Sequence, residues 1–191
     1  MHPRRLSAFL IGSWLLGGIF MFVVATQYFK GVDRLLDVPS AAATKRLDML
    51  GKEDTRLLLR YQVSELNRFY FSVWERFQLV LGAILVLITL RGSQRIHVLV
   101  IPVAMLVMVA VGHWVLSPEI NRLGALMDFV PDSRDTPAGA TFWRYHQAYS
   151  ALEVAKFLLG TLFASFLLIR RRNRNLFRKK VQPEVKVVHN T

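Results

Sequence analysis

The sequence predicts an all-α fold: an integral membrane four-helix bundle with a long helical extension before the second span. Three observations predict it. Hydrophobic residues make up 53% of the 191 residues, and they are concentrated in blocks of about 20, the length that crosses a bilayer as a helix. Polar, mixed-charge segments separate these blocks. A strongly basic segment follows the last block, as expected for a cytoplasmic tail beside a membrane.

The first apolar block, residues 6–28, predicts the first span. A secretory signal has a shorter apolar core, of about 7–15 residues, and a small-residue cleavage site. Neither feature is evident here, so we expect the helix to be retained. Small or polar residues recur along one side of this helix, roughly at steps of three and four, and such a side lets another helix approach closely. They are Ser13, Gly17, Val24 and Gln27.

The connection from the first span to the second is polar and carries charges of both signs. The proline–serine pair at residues 39–40 can start a short helix over residues 41–50, and Gly51 can end it. Asp54 or Thr55 can cap a further helix. We expect that helix to continue without a break into the second span, which makes it the long extension of the fold.

Two apolar blocks, residues 69–90 and 97–116, predict the second and third spans. A tight basic turn at residues 91–95 joins them, so they should be antiparallel neighbours. Pro102 lies inside the third span, where neighbouring helices can compensate for the lost hydrogen bond. We expect a separate short amphipathic helix over residues 117–130.

A loop at residues 131–139, rich in proline, aspartate and glycine, precedes the fourth span at residues 146–169. That span opens on an aromatic cluster and stops at a run of arginines, which marks both ends of a membrane helix. The four spans form a single domain over residues 1–180. Residues 181–191 are predicted to be the flexible end of a basic cytoplasmic tail.

Charge predicts the topology. The formal net charge is +12, and the segment after Ile169 supplies +7 of it. Four spans place both termini on one side, and basic residues near short loops favour the cytoplasmic side of the cell (inner) membrane. The tail should bind anionic lipid headgroups. Nucleic acid is not expected as a partner, since no folded basic domain accompanies the tail. The headgroup-binding candidates are Arg170, Arg171, Arg172, Arg174, Arg178, Lys179 and Lys180.

With this topology, several polar side chains fall within about 10 Å of the outer ends of their helices. Polar groups inside a membrane normally face other helices and not lipid. The same spacing places His146, Ser150, Glu153, Gly160 and Ala164 along one stripe of the fourth span. The sequence therefore predicts an outer polar cluster, whose candidates are Gln27, Glu75, Gln78, His113, His146 and Glu153.

Two interpretations of this cluster stay open. Glu75, His113, His146 and Glu153 could bind a divalent metal ion or relay protons, and the two histidines could ligate a haem if both turn inward. Alternatively, each charged group is paired locally: Glu153 with Lys156 or Arg76, and Glu75 with Arg76 or a lysine at the interface. No cofactor is expected under that second interpretation, in which the histidines are simply interfacial.

Three short motifs carry a resemblance: Ser-Trp-Leu-Leu-Gly-Gly-Ile-Phe at 13–20, Pro-Glu-Ile-Asn-Arg at 118–122, and Phe-Trp-Arg-Tyr-His at 142–146 with Tyr149-Ser150 after it. Together they resemble a family of small four-span membrane proteins that includes transmembrane protein 205. The first span is also similar to that of copper-resistance D-type membrane proteins. The resemblance implies four helices, a polar link after the third and a histidine-bearing start to the fourth. It assigns no reaction, and a chain without cysteine offers no thiolate to a soft metal.

No nucleophile motif, phosphate loop or zinc-protease motif is present, so an enzyme is not expected. We expect the chain to bind, or help transport, a small cation or solute at the outer polar cluster. The alternatives are a structural or partner subunit of a membrane complex without a ligand site, and a haem- or metal-binding membrane protein. Four spans alone make a thin pathway, so a homo-oligomer or another membrane protein is an expected partner.

Overall fold

The computed structural model describes residues 3–92, 96–130 and 133–181, with side chains described for residues 3–92, 98–130 and 134–168. Every regular element in these ranges is a helix. A π-helical turn, Gly112–Leu116, joins the fourth and fifth helices, and a 3-10 turn, Ser133–Asp135, precedes the last. The helices are α1 (Pro3–Asp37), α2 (Ala41–Leu50), α3 (Lys52–Gly92), α4 (Ile96–Val111), α5 (Ser117–Met127) and α6 (Pro137–Val181).

Four helical segments are long and apolar enough to cross a membrane, which confirms the predicted number. Large apolar side chains stay exposed along all four of them, for example Phe9, Val80, Val107 and Leu162. Monomeric soluble proteins rarely expose this much apolar surface. The segments are Pro3–Asp37, Lys52–Gly92, Val98–Met127 and Pro137–Leu168.

The long helices contact one another in a ring. α1 packs on α3 and α6, and α4 packs on the same two helices. α3 and α4 are therefore adjacent, as the short turn between them predicts, whereas α3 and α6 face each other across the middle. Buried apolar side chains from all four helices fill that middle. They are Leu10, Ile11, Trp14, Met21, Trp74, Leu81, Leu85, Met105, Val109 and Phe163.

Tryptophan rings set the spacing between α1 and α3. The Trp74 ring of α3 covers Gly17 so closely that any side chain there would collide with it. In return, Trp14 of α1 covers Gly82, where an added Cβ would lie 3.3 Å from the ring. Glycine lets the two helices approach at both positions. Gln27, predicted on the same side of α1, is exposed instead.

The connection between α1 and α3 follows the sequence closely. The Ser40 hydroxyl accepts a hydrogen bond from the Ala43 amide at 3.3 Å and caps α2. Gly51, at a φ of 85°, ends it. α3 then begins at Lys52, slightly before the predicted capping positions. Thr55 lies inside its first turn, where both its amide and its hydroxyl donate to the Gly51 carbonyl.

Three helices continue past their predicted bounds. α1 runs to Asp37, beyond the apolar block that ends at residue 28. The third span does not end at Leu116 but passes through the π turn straight into α5. A wider turn before Pro118 relieves the clash of a proline ring with the carbonyl one turn earlier, so the helix can continue. α6 begins at Pro137, inside the predicted loop, because proline suits the first turn of a helix. Thr136 caps that turn by accepting from the Gly139 amide at 3.0 Å.

An ion pair fastens the far end of α5 to α3. Arg68 donates to both carboxylate oxygens of Asp128, at 2.9 and 2.7 Å. Phe129 follows with a φ of 60° and lays its ring against Tyr61, with the centroids 4.8 Å apart. At the opposite end, the side chains after Leu168 lie outside the described part of the chain, including the predicted headgroup-binding residues from Arg170 to Lys180.

Alanine should destabilise the protein at Gly17 but not at the neighbouring Gly18. Gly17→Ala forces the Trp74 ring out of place and should destabilise the protein by about 1–3 kcal/mol, the usual effect of overpacking. Gly18→Ala is the control, since an added methyl group there meets nothing within 4 Å. Unfolding in mild detergent measures both. Equal stability of the two variants would contradict the close approach of α1 and α3.

Candidate functional site

Seven polar side chains line the middle of the helix ring, between α3, α6 and the π turn. We call them the polar network: Glu75, Gln78, His113, Ser117, Tyr149, Glu153 and Lys156. The backbones of α3 and α6 face each other here from opposite sides of the ring. Long polar side chains therefore make the connection between them.

At one end of the network, Glu75 ties three helical elements together. Its residue is only 2% exposed. One carboxylate oxygen lies 2.8 Å from Nδ1 of His113 on the π turn. The other accepts a hydrogen bond from the Ser117 hydroxyl at the start of α5. The two partners are four residues apart, a spacing that places them on the same side of the helix, so one carboxylate can contact both.

At the other end, Lys156 crosses the ring from α6. Its ammonium donates to Oε1 of Gln78 on α3 at 2.7 Å and to Oε1 of Glu153 on its own helix at 2.5 Å. Lys156 is 2% exposed and Gln78 is fully buried. A buried ammonium needs such partners, because removing a charge from water is costly.

Tyr149 lies between the two ends. Its ring packs edge-on against Phe71 of α3, with the centroids 6.0 Å apart. Its hydroxyl is within electrostatic range of both Glu75 and Glu153, yet it meets the geometry of a hydrogen bond with neither. The Tyr149 hydroxyl therefore lies between the two carboxylates of the network and interacts with them electrostatically, without a direct hydrogen bond.

The network leads from one end of the helix ring to its middle. His113 is partly exposed at that end, with 21% of its side chain accessible. Lys156 lies ten residues beyond His146 on α6, or about 15 Å along the helix axis, which is half the thickness of a bilayer core. Beyond Lys156, the buried side chains of Leu85, Met105 and Phe163 form an apolar layer.

Four of the six predicted site residues belong to the polar network: Glu75, Gln78, His113 and Glu153. The other two do not. Gln27 is exposed on α1. His146 is exposed too, against the rings of Phe142 and Trp143 at 5.8 and 5.3 Å, and near the Ser150 hydroxyl at 3.4 Å.

Only the first part of the stripe predicted for α6 lies outside. His146 and Ser150 are exposed, whereas Gly160 is buried and Ala164 packs against the core. Tyr149, Lys156 and Phe163 are buried at steps of seven. Large side chains at that repeat fill the middle of the ring, so they and not the small polar ones decide which side of α6 turns inward. This repeat was the signal for Tyr149 and Lys156, which sequence reasoning missed as site residues. Ser117 gave no comparable signal.

The interpretation by local pairs is correct for Glu153, which Lys156 binds. Glu75 pairs with His113 instead, while Arg76 points outward and is exposed. The predicted metal set of Glu75, His113, His146 and Glu153 is not brought together, since His146 lies on the outer side of α6. Among the residues described, no three histidine, aspartate or glutamate side chains are grouped to hold a metal ion. The two histidines likewise do not face each other, as a haem would require.

The network combines charged groups with groups that can both donate and accept hydrogen bonds. Glu75 and Glu153 supply two carboxylates, and Lys156 supplies one ammonium. The imidazole of His113 and the hydroxyls of Ser117 and Tyr149 can each donate and accept. Chains of such groups are the arrangement through which protons pass in membrane proteins.

Removing Lys156 alone should be more damaging than removing the pair. Lys156→Met leaves the Glu153 carboxylate and the Gln78 carbonyl without their partner, a loss of about 3 kcal/mol for a buried pair. The double variant Lys156→Met, Glu153→Gln should recover at least half of that loss. Arg122→Met is the control, since it breaks an exposed pair with Glu119 and should matter little. Unfolding in detergent tests all three, and additive losses would contradict the coupling.

Comparison of the chain with protein-family models, with curated proteins and with solved structures finds no match.

Proposed function

We propose that the chain is a multi-pass protein of the cell (inner) membrane, a four-helix bundle with both termini cytoplasmic. Two observations support this. Four helical segments have the length and hydropathy of membrane spans, and large apolar side chains cover their outer surfaces, where acyl chains would solvate them. The basic residues beside Met1, in the turn after α3 and in the tail favour the cytoplasm for that end. The tail arginines and lysines would then bind anionic lipid headgroups.

We further propose that the protein takes up protons from the outer side and moves them through the polar network. The observation that carries this proposal is the buried contact of 2.8 Å between Glu75 and His113, at the more exposed end of the network. Burying ionisable groups inside a membrane costs free energy, so such groups usually mark a functional site. A π turn carries His113, and π turns inside helices are frequent at functional sites.

A proton suits this network better than a metal cation or a larger solute does. Both oxygens of Glu75 already contact a partner, the imidazole of His113 and the hydroxyl of Ser117. A metal ion would have to displace these partners, whereas a proton only has to move along a hydrogen bond that already exists. The apolar layer beyond Lys156 would have to open, or a second copy or partner protein contribute, for protons to reach the cytoplasm.

A structural role is the second candidate, and one observation favours it. Each carboxylate of the network, and its ammonium, already has a partner on another side chain. A fully paired network can fix how α3 and α6 face each other without moving anything. Under that reading the protein is a structural or partner subunit of a membrane complex.

Proton uptake into liposomes separates the two candidates. Protein in vesicles that contain a pH-sensitive dye should acidify the interior when a potential, negative inside, is imposed with potassium and valinomycin. Glu75→Gln should slow this flux about a hundredfold, the usual contribution of a positioned proton-transfer group. Glu53→Gln, an exposed carboxylate on the same helix, should leave the flux unchanged. Wild-type vesicles no more permeable than empty ones would favour the structural role.

The natural absence of cysteine makes the topology directly testable. In intact cells with a permeabilised outer membrane, a membrane-impermeant maleimide should label Ala42→Cys, which lies on the exposed surface of α2. The same reagent should label Thr191→Cys only after the cells are lysed. The reverse pattern would place both termini outside, and labelling of both variants would rule out an even number of spans.

A further inference from the structure

Two atoms of the polar network lack the partners that their burial requires. In the parts of the chain with described side chains, four buried side-chain nitrogen or oxygen atoms make no hydrogen bond. Two of these four belong to the network, Nε2 of Gln78 and the hydroxyl of Tyr149. Buried polar atoms in proteins almost always bind either another protein group or an ordered water. Both residues belong to one run of contacts that passes through Lys156 and Glu153, so a single bound molecule is the simplest partner for both atoms.

The orientation of the Gln78 amide is fixed by its neighbour. The Lys156 ammonium can only donate, so the atom 2.7 Å from it must be the amide oxygen of Gln78. The amide nitrogen therefore points elsewhere, and it carries two N–H donors. Gln78 is fully buried, so bulk water does not reach these donors. Whatever binds Gln78 must accept a hydrogen bond.

The Tyr149 hydroxyl poses the complementary problem. It is buried and interacts with both Glu75 and Glu153, but its contacts do not have hydrogen-bond geometry. Two buried polar groups that interact without a direct hydrogen bond are often joined by a bridging water. A single small molecule can accept from one donor and donate to a carboxylate at once.

Charge narrows the identity of the occupant. A cation would face the ammonium of Lys156 and the N–H donors of Gln78, which repel it. An anion would enter a network that already holds two carboxylates. A neutral molecule that both donates and accepts is compatible with every group here. Water fits best, because it needs two to four polar partners and only about the room of one probe sphere.

We propose that a water molecule binds to Nε2 of Gln78 and to the Tyr149 hydroxyl, and that it joins Glu75 to Glu153 in one hydrogen-bonded path. The water site rests on the unpartnered atoms alone, whereas its use as a relay rests on the proposed proton function. In the relay, a proton leaves the Glu75 carboxyl for the water or the tyrosine oxygen. A different proton passes from that oxygen to Glu153. Water and hydroxyl are regenerated, and one proton has moved deeper into the protein.

Water-edited solid-state NMR of the full-length, nitrogen-15-labelled protein in liposomes tests the site. The side-chain amide signal of Gln78, assigned by its loss in Gln78→Leu, should gain magnetisation from water on the time scale seen for Gln62. Gln62 is exposed in the extension before the second span and serves as the water-contacting reference. The backbone amide of Leu85, in the apolar layer, serves as the dry reference. A Gln78 signal as slow as that of Leu85 overturns the proposal.

Tyr149→Phe tests the relay separately. The variant keeps the ring contact with Phe71 but loses the hydroxyl, so the liposome proton flux should fall about a hundredfold while Gln78 stays in contact with water. An unchanged flux overturns the relay. The two proposals can be rejected separately. If Gln78 contacts water but the protein shows no proton flux, the proton function is rejected and the water site is kept. If Gln78 does not contact water but the protein shows flux, the water site is rejected and the proton function is kept.

Discussion

A single buried ammonium constrains the middle of this protein. Lys156 is only 2% exposed and must have oxygen partners, because an apolar interior cannot solvate its ammonium. Its two partners come from Glu153, one turn away, and from Gln78, on the opposite helix. This requirement and the large side chains of Tyr149 and Phe163 favour the same rotation of α6 about its own axis. The same rotation turns Tyr149 inward and leaves His146 among the aromatic rings outside.

The packing of α1 supports this arrangement from the other side of α3. Trp74, which covers Gly17, is the immediate neighbour of Glu75 in the chain. The ring holds α3 against α1 at the level where the polar network begins, so tryptophan and glutamate turn toward adjacent sides of one helix. The apolar contacts and the polar ones are thus coupled, and the position of the carboxylate depends on how closely two glycines allow α1 and α3 to approach.

Hydrophobic block length is enough to predict four spans, and proline, serine and glycine signals are enough to predict α2 residue by residue, because both depend on local chemistry. The polar side of α3 can also be predicted, since Glu75 and Gln78 lie three residues apart on one side of a largely apolar run and Arg76 lies on another. The inward side of α6 cannot be predicted in this way, because a histidine at a helix end can pack against aromatic rings, as His146 does, as well as bind a buried partner. The large side chains of Tyr149 and Phe163 favour the observed inward side of α6. Their packing depends on residues of other helices, whose positions the sequence alone does not give.

The π turn before α5 sets the register of everything that follows it. An α-helix advances by about 100° per residue, so the wider turn at Gly112–Leu116 shifts the angular position of α5 relative to α4. Ser117, which reaches Glu75, and Asp128, which binds Arg68, both lie after that shift. Most spanning helices cannot gain or lose one residue without misaligning their contacts. Here a local change in winding absorbs one residue, so deleting one residue at this turn can return it to α-helical winding and keep α5 in place.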